Sequence, residues 1–199
     1  MTIAGAIALV ALAGVLASLG YLHLAPTGLS PIRNPVSQYG ITPQRAGYRV
    51  ATITFAGAGA ALAVGIDRAL GSRAASVVVL LAIFAAARAA ISWFPMDAPG
   101  APPTGTGHAH RLLATAAFGG ATAAAFKLAS LLGDGGRWHG LAPVSYALGA
   151  LMAACLAGLL LGRSYPALRA RFGLVERGFY VSAIAWFAVF SVACAAKLS

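Results

Sequence analysis

Three residues that could take part in chemistry lie at the two ends of a short segment rich in glycine and proline. Asp97 precedes this segment, residues 98–107, and His108 and His110 follow it. Carboxylate and imidazole are the ligands that zinc prefers after thiolate. Together with His23, these side chains could hold a divalent metal ion and the water that it activates.

The same residues also fit a simpler arrangement. Asp97 could pair with Arg88 or Arg111, while the histidines bond to loop carbonyls, as interfacial histidines often do. A His-x-His pair points both rings the same way only in an extended segment, and on a helix the two rings diverge. The sequence leaves both arrangements open. A divalent metal is expected only under the first, and no other cofactor is expected.

Arg88 is the second unusual residue, because it lies inside an apolar stretch, about 10 Å from its end at 1.5 Å per residue. Helical side chains lean toward the N-terminus, which here means deeper into the stretch and away from the nearer polar end. Charged groups so placed usually mark functional sites. We therefore predict that Arg88 turns inward and pairs with an acid or a ligand.

Arginine predominates around these residues. Nine arginines fall at this end of the predicted helices, against two acids, Asp97 and Glu176. A cation would be repelled there, whereas guanidinium groups bind phosphate and carboxylate in a bidentate manner. The pattern predicts a pocket for an anionic lipid headgroup or amphiphile, with these candidate ligand-binding residues: Asn34, Ser37, Arg88, Asp97, His108, Arg111 and Glu176.

The composition indicates which class of protein positions these residues. Of 199 residues, 60% are apolar and only 9% are charged, whereas soluble domains have about 45–50% apolar and about 25% charged residues. We therefore do not expect a soluble globule or a disordered chain. A nucleic-acid-binding domain is not expected either, despite the net charge of +10. An integral membrane protein of the cell membrane remains.

Continuous apolar stretches of about 20 residues predict transmembrane helices rather than barrel strands, which alternate with period two. Six such stretches give an all-α, six-helix bundle that forms a single domain over residues 1–199, with helices at about 3–24, 48–66, 74–93, 111–132, 141–162 and 178–198. The first connection, of about 23 residues, is long enough to be functional, and we expect it to fold over the end of the bundle.

The basic residues predict an orientation. Eight lie in connections one, three and five, and four lie on the other side with both termini. The positive-inside rule then places the odd connections in the cytoplasm and both termini outside. The arginine-rich pocket would face the cytoplasm.

Small residues at four-residue spacing predict close helix packing. Gly57, Ala61 and Gly65 form one such face, which lets backbones approach in lipid. Packing within one bundle is the first expectation, and a homodimer is the alternative. Membrane lipids are the expected partners, with a partner membrane protein as a further possibility and nucleic acid excluded.

Four short motifs carry a resemblance to a known family: Asn34-Pro35-Val36-Ser37-x-x-Gly40, Phe94-Pro95-x-Asp97, His108-x-His110 and Glu176-Arg177. With six apolar stretches around them, they resemble the bacterial and archaeal membrane family called domain of unknown function 998. The resemblance covers essentially the whole chain. It implies a six-helix membrane protein whose polar residues gather near the first and third connections, and it implies no activity. Whether the chain is an enzyme stays open, with a membrane-embedded metal-dependent lipid hydrolase using Asp97, His108 and His110 as the alternative to a binding protein.

Overall fold

The chain folds into a helical bundle. A computed structural model describes residues 2–136, 138–162 and 164–196, and the described residues contain helices but no strand. The helices are α1 (Ile3–Leu24), α2 (Arg45–Leu70), α3 (Ala75–Ala90), α4 (Gly105–Gly133), α5 (Ala142–Leu161), α6 (Pro166–Arg169) and α7 (Phe172–Ala195). Short 3-10 turns lie at Val36–Ile41, Gly71–Ala74, Ile91–Trp93 and His139–Leu141. The predicted all-α class is confirmed.

Five helical stretches among the described residues are long and apolar enough to cross a membrane: Ile3–Leu24, Arg45–Trp93, Gly105–Gly133, His139–Leu161 and Phe172–Ala195. Such a set is typical of a multi-pass membrane protein. The second stretch has 49 residues and includes both α2 and α3, which pack against each other. The chain reverses between them at Gly71, whose φ of +61° is a conformation that favours glycine.

The helices extend beyond several of the predicted apolar limits. α4 begins at Gly105 rather than near 111, because the Thr104 hydroxyl caps it by accepting a hydrogen bond from the Gly107 N–H (3.0 Å). α7 begins at Phe172 rather than near 178. His108, His110 and Glu176 are therefore helical residues. The last two residues of the sixth predicted stretch, 197 and 198, lie outside the described residues.

The centre of the bundle is aromatic and surrounds α7. Trp186, Phe187 and Phe190 are fully buried, and Phe187 contacts Phe55 of α2 and Phe84 of α3 at ring-centroid distances of 5.1 and 4.9 Å. Aromatic rings bury large apolar areas with specific geometry. This cluster fixes α7 against α2 and α3, which carry residues of the site described below.

A short polar chain joins three helices within this apolar interior. The Trp186 indole N–H of α7 donates to Ser145 Oγ of α5 (2.8 Å), and that hydroxyl donates to the carbonyl of Ala125 in α4 (2.8 Å). Polar groups buried in lipid need such partners, because water is not available to them. The chain fixes the register of α4, α5 and α7.

The small-residue face that the sequence predicts on α2 does not act as one packing surface. A Cβ on Gly57 would meet nothing within 4 Å, whereas one on Gly65 would lie 2.9 Å from Cys194 Sγ. The backbones of α1 and α7 approach each other closely instead, at Gly5, which packs on Ser191 and Ala195. Only part of the predicted face is therefore used for packing in the bundle.

Candidate ligand-binding site

A cavity of about 170 Å³ lies at the end of the bundle where the first and third connections fold. Its lining comes from the first connection and from α2, α3, α4, α5 and α7. Apolar residues, among them those of α5 and α7, complete the lining, and its polar residues are Ser37, Tyr48, Arg88, His110, Arg111, Thr115, Glu176 and Tyr180. The cavity, called the central cavity below, therefore has a polar part and an apolar part.

Arg88 lies at the polar part, near the C-terminal end of α3. Its side chain is 2% exposed, and its guanidinium carbon lies 5.4 Å from the centroid of the Tyr180 ring and 5.6 Å from that of Phe55. Cation–π contacts of this kind stabilise a buried guanidinium. The predicted burial of Arg88 is confirmed.

The predicted acidic partner of Arg88 is not found. Among the described residues, Arg111 and Asp97 form an ion pair, and no carboxylate lies within 4.0 Å of the Arg88 guanidinium. The Arg88 Nε is buried and has no hydrogen-bond partner there. The guanidinium does donate to the Tyr180 hydroxyl. A buried charge without a close counterion is nevertheless costly, so an anionic group bound at the Nε would stabilise Arg88.

Glu176 lies on α7 and faces the same cavity. It is 5% exposed, and its Oε2 accepts a hydrogen bond from the Val36 N–H (2.6 Å). The Ser37 N–H donates to the same carboxylate. Glu176 is also the fifth residue of α7, where the helix dipole still favours negative charge. The first connection therefore supplies the donors that hold this carboxylate.

Tyr48 completes the polar wall, although its sequence position predicts no role in the site. Its side chain is 3% exposed, and its hydroxyl has no hydrogen-bond partner among the described residues. Buried hydroxyls are normally paired. An unpaired one beside a cavity indicates a place where a ligand can bond. The sequence signal was only a tyrosine near the start of an apolar stretch, which is also typical of an interfacial aromatic residue.

His110 and Ser37 line the cavity but already have partners. His110 Nδ1 lies 2.7 Å from the carbonyl oxygen of Phe94, as the simpler interpretation of the sequence expects. The Ser37 hydroxyl donates to Met96 Sδ (3.3 Å). These contacts connect the third and first connections to the wall of the cavity.

Asn34, Asp97 and His108 do not line the central cavity, so a ligand-binding role for these three residues stays a prediction. Asn34 Oδ1 accepts from the Ser30 N–H (2.7 Å), and its amide donates to Gln38 Oε1 (2.9 Å), so its side chain stabilises the first connection. His108 is exposed on α4. It precedes His110 by two residues, which places the two rings on different faces of the helix.

Arg177 holds the first connection against α7. Its guanidinium donates to the carbonyl oxygens of Pro31 (2.7 Å) and Asn34 (2.8 Å), and its Nε donates to His23 Nε2 (2.7 Å). A glycine at position 173 is needed beside it, because a Cβ there would overlap the Asn34 carbonyl oxygen. Arg177 thereby positions Val36 and Ser37 over Glu176, a role that no local sequence signal indicated.

Asp97 belongs to a hydrogen-bonded cluster at the start of α4 and does not line the central cavity. Its Oδ1 accepts from the Thr104 hydroxyl (2.6 Å) and N–H (3.1 Å), and its Oδ2 accepts from Arg111 (3.0 Å). The Thr104 hydroxyl above all, with help from the Thr104 N–H and Arg111, holds the pKa of Asp97 below its usual range. Its charge therefore anchors the third connection to α4.

Replacing Asp97 with asparagine should lower the melting temperature at neutral pH. Because folding lowers the pKa of Asp97, the contribution of its charge is present above the unfolded pKa of about 3.9. It is lost as the pH falls through the folded value. The difference in melting temperature between wild type and Asp97→Asn in detergent should therefore be constant near neutrality and shrink below about pH 4. A difference that grows with acidification would contradict this role.

The four residues predicted for a metal site do not assemble. Among the described parts of the chain, no group of three or more His, Cys, Asp and Glu side chains could hold a metal ion. His23 bonds to Leu19 and Arg177, Asp97 bonds to Thr104 and Arg111, and His108 and His110 diverge. The metal-hydrolase alternative gains no support from this geometry.

A second, wider cleft of about 790 Å³ lies on the other side of Tyr48. Arg45, Arg49 and Trp93 line it and are exposed, with the Arg49 guanidinium carbon 5.1 Å from the Trp93 ring centroid. Exposed arginine and tryptophan at helix ends are typical of residues that face lipid headgroups. The buried charges lie in the smaller cavity, so the candidate site is placed there.

Comparison with known proteins agrees with the resemblance seen in the motifs. The family model described as a protein of unknown function (DUF998) matches residues 3–193. The chain therefore belongs to this family. No curated protein and no solved structure matches the chain. The family description assigns no activity, so the function is argued from the central cavity.

Proposed function

We propose that this member of the DUF998 family binds an amphiphile in the central cavity through an anionic group, a phosphate or a carboxylate. The observation that carries the proposal is Arg88, a buried guanidinium that lines the cavity, lacks a carboxylate within 4.0 Å and has an unpartnered Nε. An anion there would receive charge-assisted hydrogen bonds from a planar donor.

The proposal includes a six-crossing topology. α2 and α3 lie in one helical stretch of 49 residues, which would be about 74 Å long as a single helix at 1.5 Å per residue. A hydrocarbon core is about 30 Å thick. Two crossings joined at Gly71–Ala74 fit these lengths, and together with the other four stretches they make six crossings.

The proposed orientation has the central cavity at the cytoplasmic interface and both termini outside. The excess of arginine and lysine at the odd connections supports it. Arg137, Arg163 and Lys197, which enter that comparison, lie outside the described residues. The orientation remains a proposal that labelling of single introduced cysteines from either side can test.

The apolar part of the cavity supports an amphiphile rather than a free anion. Leu156, Leu160 and Phe172 line it, and Leu160 is 50% exposed. Leucines of α5 thus continue from the cavity wall to the outer surface of the bundle. An acyl chain could follow this surface into the bilayer while the headgroup stays beside Arg88.

Replacing Arg88 with methionine tests the proposal, because it keeps an unbranched apolar stem and removes the charged guanidinium. We expect the lipid that co-purifies with the wild-type protein through its phosphate or carboxylate to be lost, with affinity reduced about 10- to 100-fold, the loss typical of a hydrogen bond to a charged group. Native mass spectrometry of the detergent-purified protein measures the retained lipid.

The matched control is Arg73→Met, which removes an exposed arginine at the turn between α2 and α3, at the other end of the bundle. This variant should keep the bound lipid. Retention of the lipid by Arg88→Met, or equal loss in both variants, would contradict the proposal. Circular dichroism and the melting temperature show whether Arg88→Met is folded, and a purified lipid added back to the folded variant should not bind.

A further inference from the structure

We infer that the headgroup bound in the central cavity carries a primary ammonium as well as its anionic group. This inference rests on the proposed function and specifies its ligand class. The observation behind it is that Glu176 and Arg88 line the same cavity without forming an ion pair with each other. Each charge therefore faces the cavity and remains available for a ligand of opposite charge.

The two charged groups are held apart by separate supports. Arg88 lies against the rings of Tyr180 and Phe55, and Glu176 is held by the Val36 N–H. The rings that support Arg88 lie on α2 and α7, whereas the donor to Glu176 comes from the first connection. Each group therefore keeps its own supports, and no ion pair within 4.0 Å joins the two side chains.

The net charge of the lining also favours a zwitterion. Arg88 and Glu176 cancel each other, and the charge of Arg111 is offset by its ion pair with Asp97 (3.0 Å). A ligand with one negative charge would gain from Arg88 but would be repelled by Glu176 at low local dielectric. A ligand with both charges gains from each, and its ammonium donates to the Glu176 carboxylate.

The remaining polar groups fit the same ligand. The unpartnered Tyr48 hydroxyl and Arg88 Nε can both donate to a phosphate or carboxylate. Glu176 is the charged acceptor for an ammonium, since Arg and backbone N–H groups only donate. The cavity of about 170 Å³ is slightly larger than a cavity of about 150 Å³ that holds benzene, so a small headgroup fits within it.

The wild-type protein can test this without mutation. It is reconstituted in nanodiscs containing equal amounts of phosphatidylethanolamine and phosphatidylglycerol, and the lipids that remain bound are identified by native mass spectrometry. We expect phosphatidylethanolamine to be enriched about tenfold over phosphatidylglycerol, as one charged hydrogen bond predicts. N-acetyl-phosphatidylethanolamine, which lacks the ammonium, should lose that enrichment.

Glu176→Gln is the specific variant, because its amide oxygen can still accept from the Val36 N–H while the charge is gone. We expect it to retain both lipids without preference, whereas the control Asp67→Asn, at an exposed position near the other end of α2, keeps the preference. A second arm adds soluble phosphoethanolamine to the wild type. Displacement of bound lipid would identify the headgroup alone as sufficient, and no displacement would show that the acyl chain is needed.

The outcomes separate this inference from the proposed function. Equal retention of both lipids by the wild type, or a preference for phosphatidylglycerol, overturns the ammonium and leaves binding through Arg88 intact. A preference that survives in Glu176→Gln also overturns it. If the wild type retains none of these lipids and Arg88→Met changes nothing, the proposed function fails, and the inference fails with it.

Discussion

Replacing Arg177 with methionine will release the first connection from α7 and abolish ligand binding in the central cavity. The guanidinium donates to the carbonyl oxygens of Pro31, Asn34 and Gly173 and to His23. Hydrogen bonds to charged groups contribute about 1.5–3 kcal/mol each. Because the side chain is half-buried and some bonds will be replaced by water, we expect a loss of about 2–4 kcal/mol in the free energy of unfolding.

The effect on binding follows from what the connection carries. Val36 and Ser37 donate to Glu176, and Ser37 also lines the cavity. Once the connection leaves α7, the carboxylate loses its donors and the cavity loses one wall. Limited proteolysis between residues 25 and 44 reports the release, and native mass spectrometry reports the bound lipid.

The control for this prediction is Arg33→Met, which removes an exposed arginine from the same connection. It should leave proteolysis, melting temperature and bound lipid unchanged. If both variants behave alike, the first connection is held by other contacts and Arg177 is an ordinary interfacial arginine. Arg177→Lys should rescue only part of the stability, since an ammonium cannot reproduce the spread of donors of a guanidinium.

The sequence predicted the parts of the site that depend on one helix alone. Arg88 could be placed inside the bundle because its distance from the end of its stretch and the lean of helical side chains are local properties. The pairing of Asp97 with Arg111 was also foreseen as one of two arrangements, since both residues flank the same short segment. In both cases the prediction depends on residues that are close together in the sequence.

The parts that sequence reasoning missed depend on contacts between distant segments. Arg177 bonds to residues of the first connection that are more than 140 positions away in the chain, and no local pattern reports such a meeting. The helix ends were missed for another reason. Hydropathy marks where apolar residues stop, whereas α4 starts at its Thr104 cap, so His108 and His110 became helical and diverged.

Helix packing also depends on contacts between distant segments, which local sequence patterns do not report. The α2 face of Gly57, Ala61 and Gly65 has the spacing that predicts close approach, and Gly5 has no such pattern around it. The structure nonetheless places Gly5 against the backbone of α7 and Gly57 against nothing within 4 Å. Which small residue is used depends on the neighbouring helix, and the spacing within one helix does not contain that information.

Replacing Gly5 with alanine should destabilise the bundle, whereas the same change at Gly57 should not. A Cβ on Gly5 would lie 2.7 Å from both the Ser191 carbonyl oxygen and Ala195 Cα. These are backbone atoms and cannot move aside by changing rotamer. Overpacking of this kind costs about 1–3 kcal/mol. It would also strain the hydrogen bond between the Thr2 N–H and the Ala195 carbonyl (3.0 Å), which fixes the start of α1 to the end of α7.

At Gly57 the added methyl group enters open space, and alanine is favoured over glycine within a helix by about 0.5–1 kcal/mol. Gly57→Ala should therefore leave the melting temperature in detergent unchanged or slightly raised, while Gly5→Ala lowers it by several degrees, about 2–4 °C for each kcal/mol in a chain of this size. The opposite order would show that the Gly57 face is packed against another helix. A second copy of the chain would then be the first candidate, because a homodimer through this face is the alternative that its spacing predicts, and cross-linking in nanodiscs would detect it.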